Sequence, residues 1–440
     1  MTRSSAASAG LRGLLLDCRR LLSQRGEANS VKIAQNLMLG FGALSPGQQE
    51  YFFERLANDF GPEPARVLAC AQAYASVPDA LNLKRLIEQV EPPRQELLRR
   101  INRSPGGAAG IVAMRKILLQ RMARKPALQS VESDFLHLLS SWFNPGLLQL
   151  VRVDWNSPAQ LLEKIIQHEA VHQIDGWEDL RRRLQPDRRC FAFMHPQLPN
   201  EPLIFVEVAL LTDLPNAVGP LIAKDSRLTD PAEFKVAAFY SISNCQPGLR
   251  GVSLGNFLIK RVAEELRSEL PQLNTFCTLS PIPGFVSWVR GCIKNAAAAA
   301  AAASAGAPMI ESALHLLIRE PGAELEHLTQ PAALRGLSAK ATRALLCLGA
   351  NFLVRHSTTV ASDRVARFHL DNGARLERLN LFADLSPKGL RESFGLMVNN
   401  LYDLNKVELH HEKFTRGEVA HSRAIAALLR SRQYPELETS

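Results

Sequence analysis

The stretch from 240 to 285 carries most of the information about the fold: YSISNCQPGLRGVSLGNFLIKRVAEELRSELPQLNTFCTLSPIPGF. Residues 239–242 favour a strand, which the Gln246-Pro247-Gly248 turn ends. A helix is predicted next, followed by a second strand and a loop that two prolines hold. Apolar residues recur at three- and four-residue steps on one face of that helix: Leu254, Phe257, Leu258, Val262, Leu266 and Leu270.

A glycine-bearing loop opens this helix and runs through Arg250, Gly251, Val252, Ser253, Leu254, Gly255 and Asn256. Backbone N–H groups and the dipole at a helix N-terminus favour a bound phosphate. The spacing is that of neither the dinucleotide fingerprint nor the P-loop, so it predicts no NAD or ATP site. It resembles the pyrophosphate loop of GNAT acyltransferases, with Ser253 at the middle glycine position. An ordinary turn is the alternative.

Length and composition indicate a globular protein of two domains, or three. The chain has 440 residues, of which 46% are hydrophobic and 22% charged. A net charge of +9 fits a polyanionic ligand such as a nucleotide, or simply a basic surface. Nucleic acid is disfavoured, because the basic residues are dispersed and only five Tyr and four Trp offer stacking surfaces.

The cysteines and the chain ends indicate the cellular compartment in which the protein is expected. Seven cysteines without a CxxC pair favour a reducing compartment over a disulfide framework or a cysteine-zinc site. No apolar run reaches the roughly 18–20 residues of a membrane span. The first twenty residues faintly resemble a transit peptide, and an amphipathic helix is the preferred alternative. Residues 436–440 carry no peroxisomal or retention signal. We therefore expect a bacterial cytoplasmic protein rather than one of the mitochondrial matrix.

The chain divides near the sequence Trp142-Phe143-Asn144-Pro145-Gly146. Residues 1–143 show helical periodicity only, which predicts an all-α helical bundle used for assembly. Residues 144–440 mix strands with helices, an α/β (α+β) pattern. An alanine-rich stretch at 295–308 predicts a mobile insertion. The predicted strands span 147–153, 190–194 and 203–211, and the predicted later helices span 308–318, 334–354, 387–404 and 419–430.

The segment His168-Glu169-Ala170-Val171-His172 matches the HExxH zinc-protease motif. On a helix this spacing puts both imidazoles on one side. Leu161 and Ile165 share that stripe, and residues 173–176 end the predicted helix. No third ligand is recognisable, so we predict a structural helix without metal, with a zinc peptidase as the alternative.

A basic run comprises Arg181, Arg182, Arg183, Arg188 and Arg189. A solvated helix end is the favoured interpretation, and contact with phosphates is the alternative.

Two further residues attract attention. Phe368 and His369 stand on a short helix that stops at an Asn-Gly turn, which predicts a position at a loop edge for His369. Ser280 stands in a segment where Pro281 and Pro283 fix φ at alternate positions and hold the serine in one place. A structural histidine and a turn-forming serine are the alternatives.

Taken together, these segments resemble the malonyl-CoA decarboxylase family from Trp142 to about residue 404. The matching runs are WFNPG, HEAVH followed by GWEDLRRRL, FYSIS, GLRGVSLGNFLIKRV, LSPIPGF, VARFHLDNGA and GLMVNNLYDL. The resemblance implies an oligomerising helical domain, with a tetramer expected. It also implies a GNAT-like catalytic domain with a mixed central sheet.

The resemblance also implies site residues. Ser280 and His369 match the catalytic positions, the loop at 250–256 matches the CoA-binding loop, and Tyr402 matches a tyrosine near the site. Pro281 and Asn372 are expected in the substrate pocket. The substrate and product implied are malonyl-CoA and acetyl-CoA.

The implied reaction needs no metal or organic cofactor, because the thioester itself holds the electron pair left by CO2 as an enolate. Ser280 is expected to orient the malonyl group, and His369, titrating near neutrality, to donate the proton that gives acetyl-CoA. The two side chains must then share one pocket. An acyltransferase and a non-catalytic acyl-CoA sensor are the rival functions.

Overall fold

The structure is a computed structural model that describes residues 2–23, 29–122, 124–252, 254, 258–296, 307–319, 325–356 and 363–430. The chain forms two compact units. The first comprises residues 1–149, 193–203 and 244–255, and the second comprises residues 150–192, 204–243 and 256–440. The predicted domain boundary between residues 143 and 144 stays a prediction.

Helices dominate the first unit, and the predicted helical character of the first third of the chain is confirmed. Phenylalanine rings form its centre, with Phe41 lying 5.3 Å from Phe52 and 5.4 Å from Phe53 between ring centroids. Such tilted and edge-on contacts are favourable geometries for aromatic pairs. The helices are α1 Thr2–Leu22, α2 Ser30–Ala43, α3 Pro46–Asp59, α4 Pro64–Ser76, α5 Ala80–Val90, α6 Pro93–Asn102, α7 Gly107–Met122 and α8 Gln129–Trp142.

A mixed sheet organises the second unit. Its strands are β1 Gln149–Val153, β2 Arg188–Met194, β3 Ile204–Leu211, β4 Val236–Asn244, β5 Thr275–Thr278, β6 Ser280–Pro281, β7 Arg375–Asn380 and β8 Met397–Leu401. The strand order is β1-β2-β3-β4-β5-β8-β6, and β7 also pairs with β8. β4 and β5 are parallel, whereas β8 is antiparallel to β5, β6 and β7. The predicted class, a helical region followed by a mixed sheet with helices, is confirmed.

Helices surround this sheet and bury an apolar core. Ile282, Phe285, Leu348 and Leu370 belong to one buried cluster. No helix of the described residues is long and apolar enough to cross a membrane. The helices are α9 Ala159–His168, α10 Gly176–Arg183, α11 Gly219–Ile222, α12 Leu258–Glu269, α13 Phe285–Ala296, α14 Ala307–Arg319, α15 Pro331–Arg335, α16 Ala339–Asn351 with a π-helical extension Phe352–His356, α17 Arg364–Asp371, α18 Pro387–Ser393, α19 Val407–Thr415 and α20 Arg423–Leu429.

One sequence prediction about these elements is wrong. The helix expected over 387–404 is α18 followed by strand β8, because α18 stops at Phe394, whose backbone is left-handed with φ 50°, and Gly395 follows. The predicted start of helix α12, between Gly251 and Gly255, falls partly outside the described residues, and the helix is described from Leu258. Most of the alanine-rich stretch, residues 297–306, lies outside the described residues.

Candidate active site

Ser280 lies on a short strand rather than in a loop. β6 pairs antiparallel with β8, and Ser280 faces Val398 in the register. The apolar side chains of Ile282 and Phe285 follow and are fully buried. Only 4% of Ser280 is exposed. Strand pairing and core packing therefore fix the hydroxyl in a buried position.

His369 lies on α17, whose two ends are both fixed. Asp363 caps the N-terminus by accepting N–H bonds of Val365 and Ala366 at 2.8 and 3.1 Å. After the helix, Gly373 has φ +79°, and a Cβ there would overlap the carbonyl oxygen of Val407. His369 is only 3% exposed, so the prediction of a loop-edge position is wrong. Burial follows because α17 packs into the core through Ala366 and Leu370.

Ser280, His369 and Tyr402 form one hydrogen-bonded chain. Ser280 Oγ lies 2.8 Å from His369 Nε2, and His369 Nδ1 lies 2.9 Å from the Tyr402 hydroxyl oxygen. The serine and histidine are 89 residues apart in sequence. The prediction that their side chains share one place in the fold is confirmed, and Tyr402 joins them.

Thr278 and Asn400 complete the polar cluster, although the sequence does not single out Thr278. Ser280 Oγ donates to Thr278 Oγ1 at 2.8 Å, and Asn400 Nδ2 donates to the same oxygen at 2.9 Å. Thr278 precedes Ser280 by two residues, the spacing that puts strand side chains on one face. This alternation is the only feature of the sequence that indicates a place for Thr278 beside Ser280.

The proton positions follow from this network. Ser280 has one hydroxyl proton and directs it at Thr278, so the bond to His369 needs a proton on Nε2. Nδ1 is then an acceptor for the Tyr402 hydroxyl. In the neutral imidazole, the N–H is therefore aimed at the serine.

Burial governs the ionisation of this cluster. It lowers the pKa of His369 to about 3 and raises the pKa of Tyr402 far above its usual range. The hydrogen-bond partners of His369 are hydroxyls, which bring no negative charge to stabilise an imidazolium. The expectation that His369 titrates near neutrality is therefore wrong for the protein without substrate.

The predicted phosphate loop belongs to the first unit, and the structure describes only part of it. Gly251 has φ +85°, a conformation that favours glycine, and Val252 and Leu254 are buried. Ser253, Gly255 and Asn256 lie outside the described residues. Arg115, which the sequence does not single out, donates to the carbonyl oxygen of Gly248 at 2.7 Å and holds the start of this loop.

The two residues expected in the substrate pocket have structural contacts. Pro281 pairs with Met397 in the β6–β8 register. Asn372 Nδ2 donates to the carbonyl oxygen of Phe368 at 2.8 Å and closes the C-terminus of α17. Contact of either residue with a substrate stays a prediction.

The HExxH match does not form the helix that the sequence predicts. α9 ends at His168, because Glu169 turns back and accepts the N–H groups of Val171 and His172, both at 2.8 Å. Ser241 on β4 donates to the Glu169 carboxylate at 2.7 Å and fixes the turn. Among the described residues, no group of three His, Cys, Asp or Glu side chains is placed to hold a metal ion.

The arginine run is mostly buried, so the prediction of a solvated helix end is wrong. Arg183 pairs with Asp179 at 3.1 Å and with Glu207 at 2.8 Å, and Arg182 pairs with Asp187 at 2.8 Å. Each buried cation has a carboxylate to offset its desolvation. Only Arg181 projects into solvent, as predicted.

Comparisons with known proteins identify the family of the chain. A family model described as the malonyl-CoA decarboxylase C-terminal domain matches residues 146–439, and one described as the N-terminal domain matches residues 60–143. The mitochondrial malonyl-CoA decarboxylase of Anser anser anser is 36% identical over 383 residues, 79% of this chain and 73% of that protein. The corresponding enzyme of Mus musculus is 35% identical over 393 residues, 83% of this chain and 78% of that protein.

Solved structures give the same result. Malonyl-CoA decarboxylase from Rhodopseudomonas palustris has a TM-score of 0.84 and 43% identity, covering 94% of this chain and 98% of that one. The protein of that name from Agrobacterium vitis has a TM-score of 0.83 and 43% identity, covering 95% and 99%. The resemblance seen in the sequence is confirmed, and the chain belongs to the malonyl-CoA decarboxylase family.

Proposed function

We propose that this chain is a carboxy-lyase that converts malonyl-CoA into acetyl-CoA and CO2. The observation that carries the proposal is the Ser280–His369 contact of 2.8 Å in a buried site whose hydrogen-bonding groups are uncharged. Family membership supplies the substrate class. The buried hydroxyls supply hydrogen-bond donors for an oxygen atom of the substrate, and the imidazole supplies a proton for the substrate Cα.

The reaction balances with one proton taken up from solvent. The bond between the carboxylate and Cα breaks, CO2 leaves, and the electron pair moves into the thioester carbonyl to form an enolate. One proton must then reach Cα. On substrate binding, Ser280 turns its hydroxyl proton from Thr278 to the malonyl group and orients that group. Hydrogen-bond donors held in place contribute about 10²-fold to a rate when they act on a developing oxyanion.

Substrate binding explains how His369, despite its low pKa, can act as an acid. The malonyl carboxylate brings a negative charge into a site that has no charged hydrogen-bond partner for the imidazole, and this charge raises the histidine pKa. The imidazole then takes up a proton on binding and delivers it from Nε2 to Cα. Tyr402 holds the ring through Nδ1 while the proton moves.

The loop at 250–256 holds the CoA diphosphate in this proposal. Its support is the left-handed Gly251 and the anchoring of Gly248 by Arg115, which fix the backbone where the loop begins. No metal or organic cofactor takes part, because the substrate thioester stabilises the carbanion. A cytoplasmic location remains a prediction from the sequence.

The test is incubation of the purified protein with malonyl-CoA alone in the presence of EDTA. Mass spectrometry should detect acetyl-CoA, with CO2 released in equal amount. An acyltransferase would need an acceptor, and an acyl-CoA sensor would bind malonyl-CoA without turnover. Either of those results, or activity that EDTA abolishes, would refute the metal-free decarboxylase.

The predicted homo-oligomer has a candidate surface in the first unit. None of the residues of α4 and α5 is buried, yet these helices carry exposed large apolar side chains. An unpartnered apolar face of this kind favours a protein interface, and a second copy of the chain is the proposed partner. The exposed side chains are Leu68, Val77, Leu81, Leu83, Ile87 and Val90.

Light scattering tests this surface with a double variant that carries both Leu81→Glu and Ile87→Glu. The double variant should have a smaller mass than the wild type, and the control variant Lys84→Ala should have the wild-type mass. An unchanged mass would exclude this surface.

A further inference from the structure

A surface pocket of about 520 Å³ lies in the second unit, where β4 and β5 begin. Phe234, just before β4, and Leu270, just after α12, contribute to its lining. The first register pair of these strands is Val236 with Thr275, whereas Ser280 comes five residues further along the chain. None of Ser280, His369 and Tyr402 lines the pocket. The pocket is therefore distinct from the candidate active site.

The charge of the pocket is positive. Arg152, Arg181 and Arg189 line it. Glu269 is shared, because it pairs with Arg189 at 2.6 Å and with Arg152 at 3.2 Å. Arg181 lies 3.8 Å from Glu178, so three guanidinium groups with two carboxylate partners leave an excess of positive charge.

Arg189 has a structural role within this group. Its Nε and Nη2 donate to Glu269, and its Nη1 donates to the carbonyl oxygens of Pro186 and Arg188, both at 2.8 Å. These bonds use the donors of the guanidinium. Arg189 therefore fixes the wall of the pocket and leaves ligand contact to the other two arginines.

Arg152 and Arg181 present donors to solvent. Among the described contacts, Arg152 bonds Glu269 through Nη1 only. Arg181 is 66% exposed, and its Nη2 lies 3.8 Å from Glu178, beyond hydrogen-bonding distance. Trp155 lines the same pocket and is 47% exposed. The pocket thus combines two guanidinium groups that keep donors for a ligand with an aromatic surface.

We propose that this pocket binds a nucleoside monophosphate. A guanidinium matches the oxygen atoms of a phosphate with paired donors, and an indole ring stacks on a planar base. Leu184, Phe234 and Leu270 add apolar surface for the base and sugar. A volume of about 520 Å³ lies within the range of roughly 300–1,000 Å³ typical of small-molecule sites.

The test is isothermal titration calorimetry of the full chain with GMP, which lacks the diphosphate and pantetheine of CoA. GMP should bind more tightly than either inorganic phosphate or guanosine. Arg181→Ala and Trp155→Ala should each weaken GMP binding about tenfold, the loss expected for one charged hydrogen bond or one stacked base. Arg416→Ala is the matched control, since Arg416 is also exposed, at 75% against 66% for Arg181, and lies 4.0 Å from Glu412.

The proposal is overturned if GMP does not bind the wild type at millimolar concentration. It is also overturned if both variants bind GMP as the wild type does, or if Arg416→Ala weakens binding as much as Arg181→Ala. Inorganic phosphate binding as tightly as GMP would contradict the part played by the base and Trp155. Circular dichroism of each variant checks that the fold is retained.

Discussion

Two buried histidines of the second unit lie in opposite surroundings. Burial lowers the pKa of His369 to about 3 and the pKa of His172 to about 4. Both ring nitrogens of His369 meet side-chain hydroxyls, whereas His172 Nε2 has no hydrogen-bond partner among the described residues. His172 belongs to the more recognisable metal motif, yet His369 has the geometry of a catalytic group. A short motif therefore identifies a site less reliably than the partners that the fold supplies.

Replacing each histidine by asparagine should give the largest difference in kcat between the two sites. His369→Asn should lower kcat about 10³-fold, because it removes the acid that protonates Cα. His172→Asn should keep kcat near the wild-type value. Rates of acetyl-CoA formation, with thermal unfolding as a control for folding, check both variants. Equal losses in the two variants would remove the distinction between the sites.

Ser280 provides the next largest effect. Ser280→Ala should lower kcat about 10²-fold by removing the hydrogen bond to the malonyl group. Ser393→Ala is the matched control, since Ser393 is also buried but donates to backbone carbonyl oxygens of α18 and Leu396. The same assay measures both. A kcat of Ser280→Ala within twofold of the Ser393→Ala value would contradict the assigned role.

Two buried tyrosines extend the comparison with a smaller effect. Tyr402→Phe should lower kcat about tenfold, because His369 loses the bond that holds its ring. The Tyr240 hydroxyl has no hydrogen-bond partner among the described residues, so Tyr240→Phe should leave kcat unchanged. Steady-state kinetics on both variants is the check. A larger loss for Tyr240→Phe would show that the hydrogen-bond chain is not what matters.

The smallest predicted effect concerns stability and pH. The folded pKa of His369, about 3, lies below the usual 6.5, so the unfolded chain binds an extra proton between these values. Its stabilising contribution is complete above pH 6.5 and is lost as the pH falls toward 3. The loss is at most about 1.4 kcal/mol per pH unit. Urea unfolding at pH 7 and pH 5 measures it, and His369→Asn should show a weaker dependence on pH.

A pH dependence of unfolding that His369→Asn leaves unchanged would contradict burial of a neutral imidazole. His172 has a lowered pKa for the same reason and acts in the same direction. The double variant of both histidines should therefore show the weakest dependence of the series.

The sequence predicted those parts of the site that rest on local pattern. The Asn372-Gly373 turn ends the helix of His369 as predicted, and Ser280 is held in one place, although on strand β6 and not in the predicted loop. The sequence did not predict β8, because asparagine is uncommon in strands and Asn399 and Asn400 stand within it. Both asparagines are buried and donate hydrogen bonds to Thr278: Asn399 to its backbone carbonyl oxygen and Asn400 to its hydroxyl oxygen. Here the hydrogen bonds of the site outweigh the low preference of asparagine for strands.

Tertiary packing explains the other differences. Arg182 and Arg183 looked like a solvated helix end, since the sequence does not show that the fold buries them with Asp187 and with Glu207, which is 24 residues from Arg183. The lowered pKa of His369 also depends on how deeply tertiary packing buries it. Neither effect is visible in residue spacing.

The most direct test of the central claim is a double-mutant cycle on Ser280→Ala and His369→Asn. If the two side chains act together on one malonyl group, the double variant should lose no more activity than His369→Asn alone, about 10³-fold. Independent roles would multiply the losses to about 10⁵-fold. Single-turnover formation of acetyl-CoA distinguishes these values, and a loss near the larger one would contradict the shared site.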